Sequence, residues 1–327
     1  MLDPENNKDV GVKSQDVDTD HKPRPEDGNG GSIRKCEWTS LCQRLCISGD
    51  TPKYNYAGVT NMARTVVDRA DSCFRDGQDW NPFVVFRDVP EQELDSVLSA
   101  ANAEESIITK LGFDYYRPFE VLVVKLRSKE QEQAVQLFTR MLYRKLGQMH
   151  QNTSKHLRSS GPEVMKTKDR VKVPDACFSP VVNVSEDRQG NYWPTLVIEV
   201  GFSQCHGRLD QDAKWWLQQS EGHVRMVLTV SIERQGCEGI KIEKWVPSNC
   251  KESHHDHRYD SNGGLVKAPS ITICRGQNGK VAMMNGEEQL VIPFTQVLHR
   301  EPQENDRDIV FEREDLENLA KCCIRKV

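Results

Sequence analysis

The chain has 327 residues, 37% of them hydrophobic, with 44 Lys and Arg against 49 Asp and Glu and a net charge of −5. That supports one domain of a little over roughly 200 residues with a polar N-terminal extension, and it excludes a global field drawing the protein onto nucleic acid or anionic membrane. No run of about 18 apolar residues occurs and the acidic start lacks the apolar core of a signal peptide, so a soluble intracellular protein is expected, cytoplasmic or nuclear, with no membrane partner.

Residues 1–32 are rich in Asp, Glu, Asn, Gly and Pro, too polar to offset the entropy of ordering, and are expected to be a disordered tail. Residues 33–117 are expected to form an N-terminal extension packing on a core of residues 118–327. Within the extension, Trp38, Leu41, Leu45 and Ile47 provide a short apolar segment that docks on the core, and Val59 to Cys73 reads as a helix. Pro82 to Asp88 reads as a strand, and Glu91 to Leu111 as a helix with Leu94, Val97, Leu98, Ala101, Ile107 and Ile108 at helical spacing.

Phe119 to Leu126 is a β-branched run of strand length. Ser128 is the N-cap expected for a helix that runs to about Met149 and puts Ala134, Leu137, Phe138, Met141, Leu142 and Leu146 on one face. Gln151 to Lys172 reads as a loop, followed by strands near Val173 to Phe178 and Thr195 to Val200. A helix from about Leu209 to Gln219 precedes two strands, His223 to Glu233 and Ile240 to Val246. Ser270 to Cys274, Val281 to Met284 and Gln289 to Phe294 are short strand candidates, and Glu314 to Ile324 a helix. Strands alternate with helices, so the class is α/β.

The eleven cysteines, odd in number and widely spread, read mostly as reduced thiols. Cys250 with His254, His255 and His257 lies in a polar segment without two well-spaced ligand pairs, and a solvated loop is the better reading than a zinc site.

Val173-Pro174-Asp175, then Pro194 to Ser203 with Glu199 inside Leu-Val-Ile-Glu-Val, then Asp212-Ala213-Lys214-Trp215-Trp216-Leu217 give two acid-bearing strands and a lysine-bearing helix. That order can assemble a divalent-metal site for phosphodiester hydrolysis, with two carboxylates on a hard cation and an ammonium orienting water. A carboxylate inside an apolar strand is costly to bury unless it is paired or metal-bound. The plainer readings are a loop-terminating Asp175, a Glu199 satisfied by a neighbouring cation, and an ordinary i, i+4 pair of Asp210 with Lys214.

With the closing Ile242-Glu243-Lys244-Trp245, these segments resemble the PD-(D/E)XK restriction-endonuclease-like superfamily, over about Phe119 to Phe294. The nearest resemblance is to mostly fungal proteins of uncharacterised function close to the Uma-type restriction endonucleases of bacteria. It implies a mixed central β-sheet flanked by helices, with a Mg²⁺ or Mn²⁺ site at one end of a central hairpin. Asp175 matches the acid of the first motif and Glu199 that of the second, and the Val200 carbonyl would be a further metal ligand. In the simplest form of the motif the lysine lies two residues after the second acid, a position held here by Gly201, and Lys214 matches its displaced place on the helix. Gln204 stands where family members often carry an acid. The superfamily also takes an acid from the preceding helix, and Glu132 matches it better than Glu130.

Lys155, Arg158, Lys166, Lys168, Arg170 and Lys172 form a local basic stretch just before Asp175. It could grip phosphates or be a solvated loop; Lys166, Lys168, Arg170 and Lys172 are the nucleic-acid candidates. The leading expectation is a metal-dependent nuclease in which Asp175 and Glu199 bind metal, Glu132 assists and Lys214 orients water. The other is a non-catalytic binding or scaffold protein of the same fold, with Gly201 and Gln204 as signs of an eroded site.

Overall fold

Helix α1 (Ser32–Leu45) leads into β1 (Lys53–Asn55), α2 (Val59–Arg75), β2 (Phe83–Arg87), α3 (Leu94–Ala101), β3 (Gly112–Tyr116) and β4 (Val121–Lys125). Next come α4 (Lys129–Gly147), β5 (Leu157–Ser159), β6 (Met165–Lys166), β7 (Arg170–Lys172), β8 (Ala176–Pro180), β9 (Leu196–Phe202) and α5 (His206–Gln219). The chain continues through β10 (Met226–Glu233), β11 (Gly239–Pro247), β12 (Leu265–Lys267), β13 (Ile271–Arg275) and β14 (Val281–Asn285). It closes with β15 (Leu290–Ile292), α6 (Phe294–Leu298), β16 (Ile309–Phe311) and α7 (Arg313–Cys323). This computed structural model describes residues 32–75, 81–101, 111–150, 152–159, 163–182, 186–187, 190–203, 206–234, 238–248 and 264–324.

The strands build a six-stranded sheet ordered β1-β2-β4-β3-β7-β6, an eight-stranded sheet ordered β14-β13-β11-β10-β9-β8-β5 with β12 on β11, and the pair β15-β16. β1 and β2 are parallel, as are β9 and β10, while β8 runs antiparallel to β9 and β11 to β10. The fold is therefore α/β, with mixed sheets flanked by helices. The six-stranded sheet draws β4, β6 and β7 from beyond residue 118 and so straddles the boundary expected there.

Strand period two sorts β9 cleanly. Leu196, Ile198, Val200 and Phe202 join a core shared with Phe138, Leu142 and Leu146 of α4 and Leu316 and Leu319 of α7. Val197 faces the other way, where it packs with Ala213, Trp216 and Leu217 of α5 and with Val227 and Trp245. Glu199 and Gly201 share that second face by alternation. α4 begins in a capping box: the Ser128 N–H donates to Gln131 Oε1 at 2.8 Å and the Gln131 N–H to Ser128 Oγ at 3.3 Å.

The same period divides the six-stranded sheet. Phe113 and Tyr115 of β3, Leu122 and Val124 of β4, and Val171 of β7 pack on α2 and α3 through Met62, Val66, Leu94 and Val97. Asp114, Lys125, Arg170 and Lys172 alternate with them and therefore share the opposite face, which meets α5 and β9.

Several expectations shift. The helix expected over Glu91 to Leu111 is a single 3-10 turn, Glu91–Glu93, followed by α3, which ends at Ala101; residues 102–110 lie outside the described residues, and the strand β3 was not expected. The loop expected over Gln151 to Lys172 holds β5, β6 and β7, too short and too charged to stand out as apolar runs. β8 starts at Ala176 rather than Val173, because Pro174 has no N–H to give a ladder. Of the tail read over residues 1–32, only Ser32 is among the described residues, and the Cys250 to His257 segment is outside them. No helix among the described residues is long and apolar enough to cross a membrane.

Candidate functional site: an ion network between the two sheets

Asp175 precedes β8 and Glu199 lies in the middle of β9, so the antiparallel pairing that sets Ala176 opposite Ile198 brings the two acids to neighbouring positions. Both are deeply buried, with side chains 3% and 2% exposed. The expected convergence of Asp175, Glu199 and the Val200 carbonyl is present. What occupies their meeting point is the ammonium of Lys125 from β4.

Lys125 Nζ donates to Asp175 Oδ2 and to the Val200 carbonyl, at 2.5 Å in each case, and lies 4.0 Å from Glu199 Oε2. Other donors reach these groups as well. Arg127 Nε donates to Asp175 Oδ1 at 2.9 Å, the Val200 N–H to Asp175 Oδ2 at 2.7 Å, and Gln131 Nε2 to the Val200 carbonyl at 3.1 Å. Glu199 Oε1 accepts from Trp216 Nε1 at 2.7 Å and is 3.4 Å from Lys172 Nζ.

The network continues away from this corner. Lys172 is also 3.1 Å from Asp212 of α5, and Arg170 reaches Asp212 at 2.7 Å while gripping both oxygens of Asp114. Arg208 of α5 donates to Asp114 and, at 2.6 Å, to the Leu45 carbonyl at the end of α1. The Arg170 guanidinium lies between the rings of Tyr116 and Trp215, 4.8 and 5.0 Å from their centroids. Five cations, Lys125, Arg127, Arg170, Lys172 and Arg208, thus face four carboxyl groups, Asp114, Asp175, Glu199 and Asp212.

These surroundings set the protonation states. Burial pushes the Asp175 carboxyl up, but Lys125 and Arg127 overcome it and hold the group at about 2. Asp114 and Asp212 behave alike: burial opposes their ionisation, and Arg170, Arg208 and Lys172 keep both well below the usual carboxylate range. Glu199 goes the other way. Burial, helped by Asp175 and Asp212 and only partly countered by Lys172, raises it to about 7.

The other expected site residues lie elsewhere. Lys214 is half-buried on α5 with its ammonium 5.9 Å from the Trp245 ring centroid, and among the described residues no ion pair joins it to Asp175 or Glu199. Its expected helix partner Asp210 pairs with Lys267 at 3.1 Å. Glu132 is half-buried in the first turn of α4, and the side chain of that turn which reaches the corner is its neighbour Gln131. Glu130 pairs instead with Arg234 at 3.3 Å. A lysine at position 201 would crowd Leu209, whose side chain stands 3.1 Å from where its Cβ would be and would have to shift. Gln204 is outside the described residues.

The basic stretch divides as well. Lys166, paired with Asp95 at 3.0 Å, and Lys168 are exposed, whereas Arg170 and Lys172 are 7% and 4% exposed and turned into the network. Those two correct the expectation of a four-residue phosphate grip: β7 alternation buries them.

A divalent cation needs several oxygens free to coordinate it. Here a lysine, an arginine and amide, backbone and indole N–H groups have taken both Asp175 oxygens, the Val200 carbonyl and Glu199 Oε1, and among the described residues no three His, Cys, Asp or Glu side chains are grouped to hold a metal ion. An ion at the meeting point would also face the Lys125 ammonium with a repulsion of about 8 kcal/mol, taking a separation of about 4 Å and an effective dielectric constant of about 20. As they stand, these residues do not fit Mg²⁺ or Mn²⁺.

No protein-family model matches the chain, and no curated protein matches it. Among solved structures, it is similar to a crystal structure from Anabaena variabilis described as a "putative nuclease belonging to DUF820", with a TM-score of 0.36 and 10% identity over 63% of this chain and 90% of the other.

Proposed function

We propose that this chain is a non-catalytic binding or scaffold protein of the PD-(D/E)XK restriction-endonuclease-like superfamily, in which the metal corner has become an internal ion network. The architecture supports the superfamily: Asp175 and Glu199 meet across the β8–β9 pair, and α5 crosses from β9 to the parallel β10. The observation that carries the loss of catalysis is Lys125 Nζ at 2.5 Å from both Asp175 Oδ2 and the Val200 carbonyl.

In this reading the corner joins the sheets rather than acting on a substrate. Lys125, Asp114, Arg170 and Lys172 come from the six-stranded sheet, and Asp175, Glu199, Arg208 and Asp212 from the eight-stranded sheet and its helix. A buried network of this kind adds little net stability over apolar packing, but each member is expensive to remove alone, so it favours one docking of the two layers over others. Nucleic acid remains the partner class, held by the exposed Lys155, Arg158, Lys166 and Lys168.

The test is incubation of the purified protein with single- and double-stranded DNA and RNA, with and without Mn²⁺. No metal-dependent cleavage is expected. Cleavage that needs Mn²⁺ and disappears in Glu199→Ala would overturn the proposal.

A further inference from the structure

We infer that Lys125 is a tethered substitute for a divalent cation, and that Asp175, Glu199 and the Val200 carbonyl form a latent cation site which the wild-type ammonium keeps shut. This rests on the reading of the corner as a metal-free ion network.

Three contacts made by one ammonium single out Lys125 among the five cations. Its ammonium is the one that touches Asp175 and the Val200 carbonyl together while standing within 4.0 Å of Glu199. Three oxygens, two from β9 and one from the residue before β8, thus converge on a positive charge, and oxygen is the ligand a hard cation takes. The other cations lie to the side: Arg127 meets Asp175 on its second oxygen, and Lys172 meets Glu199 on the oxygen that faces Trp216.

The backbone also makes room for this side chain. Gly112 is the β3 partner of Lys125, and a Cβ there would lie 3.2 Å from Lys125 Cβ and 3.4 Å from its Cδ. A larger residue at 112 would push against the lysine stem that delivers the charge to the corner.

Gln131 completes the account. Its amide nitrogen donates to the Val200 carbonyl at 3.1 Å while its oxygen takes the Ser128 N–H in the capping box. A glutamate serves equally well in a capping box, so Gln131→Glu adds a carboxylate beside the corner without removing the helix cap. With Lys125 in place that charge would stand beside the Val200 carbonyl and the ammonium that shares it. With Lys125 shortened it would face a cation.

The experiment measures Mn²⁺ binding by calorimetry, and melting temperature with Mn²⁺ or EDTA, for wild type, Lys125→Ala, Lys125→Ser, Lys125→Met and Lys125→Ala/Gln131→Glu. Wild type and Lys125→Met, whose stem fills the space, should bind none. Lys125→Ala and Lys125→Ser should take up one Mn²⁺ per chain and melt higher with Mn²⁺ than with EDTA, and the double variant should bind more tightly than Lys125→Ala.

Folded Lys125→Ala and Lys125→Ser that bind no Mn²⁺ overturn the inference while leaving the metal-free reading of the wild type intact. Mn²⁺ uptake by the wild type at this corner overturns that reading itself. If the small variants do not fold in EDTA, refolding in Mn²⁺ supports the inference, and failure in both solutions overturns it.

Discussion

Lys125 and Asp175 meet at 2.5 Å although they belong to different sheets: Lys125 ends β4 of the six-stranded sheet and Asp175 enters β8 of the eight-stranded one. The contact closes the seam between the layers at the point where Asp175, Glu199 and the Val200 carbonyl converge. The energetics of the whole network follow from that placement.

Asp114 is the clearest test of the seam. It answers Arg170 and Arg208 directly, with Lys172 at 3.8 Å, so Asp114→Ala leaves a cluster of buried cations short of a partner. A loss of about 3–5 kcal/mol in urea unfolding is expected. Lys214→Ala, which removes an ammonium from beside the Trp245 ring, should cost no more than about 1 kcal/mol. Equal losses in the two variants would contradict the network.

The two corner acids give opposite pH dependences. Asp175 falls from 3.8 to about 2 on folding, so its contribution is present above pH 3.8 and is lost as pH falls through 2. Glu199 rises from 4.5 to about 7, so its contribution is present below pH 4.5 and is lost as pH rises through 7. Glu199→Gln removes the second effect. Relative to the variant, wild type should lose stability between about pH 5 and pH 8 in thermal melts, and a constant difference would argue against the raised carboxyl.

Ser128 caps α4 and so helps to set Gln131 against the Val200 carbonyl. Ser128→Ala should cost about 1 kcal/mol. Combined with Lys214→Ala it should be additive, since the two side chains have no partner in common.

On the surface, Lys166→Ala/Lys168→Ala should weaken nucleic-acid binding and flatten its salt dependence, by a slope of about 0.9 for each duplex phosphate that is no longer neutralised. Gel-shift titrations across salt concentrations read this directly. An unchanged slope would remove the basic stretch as a binding surface.

Much of the fold was legible in the sequence because period and capping agree with the tertiary result: Ser128 caps α4, and the β9, β10 and β11 runs are apolar enough to stand out. The acids were legible by one rule, that a lone charge inside an apolar run must find a buried partner. The same rule applies to Lys125 at the end of Val-Leu-Val-Val-Lys and to Asp114 in Phe-Asp-Tyr-Tyr, and there it would have found the network. Arg170 and Lys172 were harder, because in a strand of three residues only Val171 between them signals alternation. That Lys125 fills the corner depends on how two sheets dock, which no local pattern encodes.

The most direct test is a crystal structure of the wild type grown in Mn²⁺, with the anomalous signal measured at this corner. The account predicts Lys125 Nζ between Asp175 Oδ2 and the Val200 carbonyl, with no anomalous peak there. A Mn²⁺ peak shared by Asp175 and Glu199, with Lys125 swung away, would contradict it.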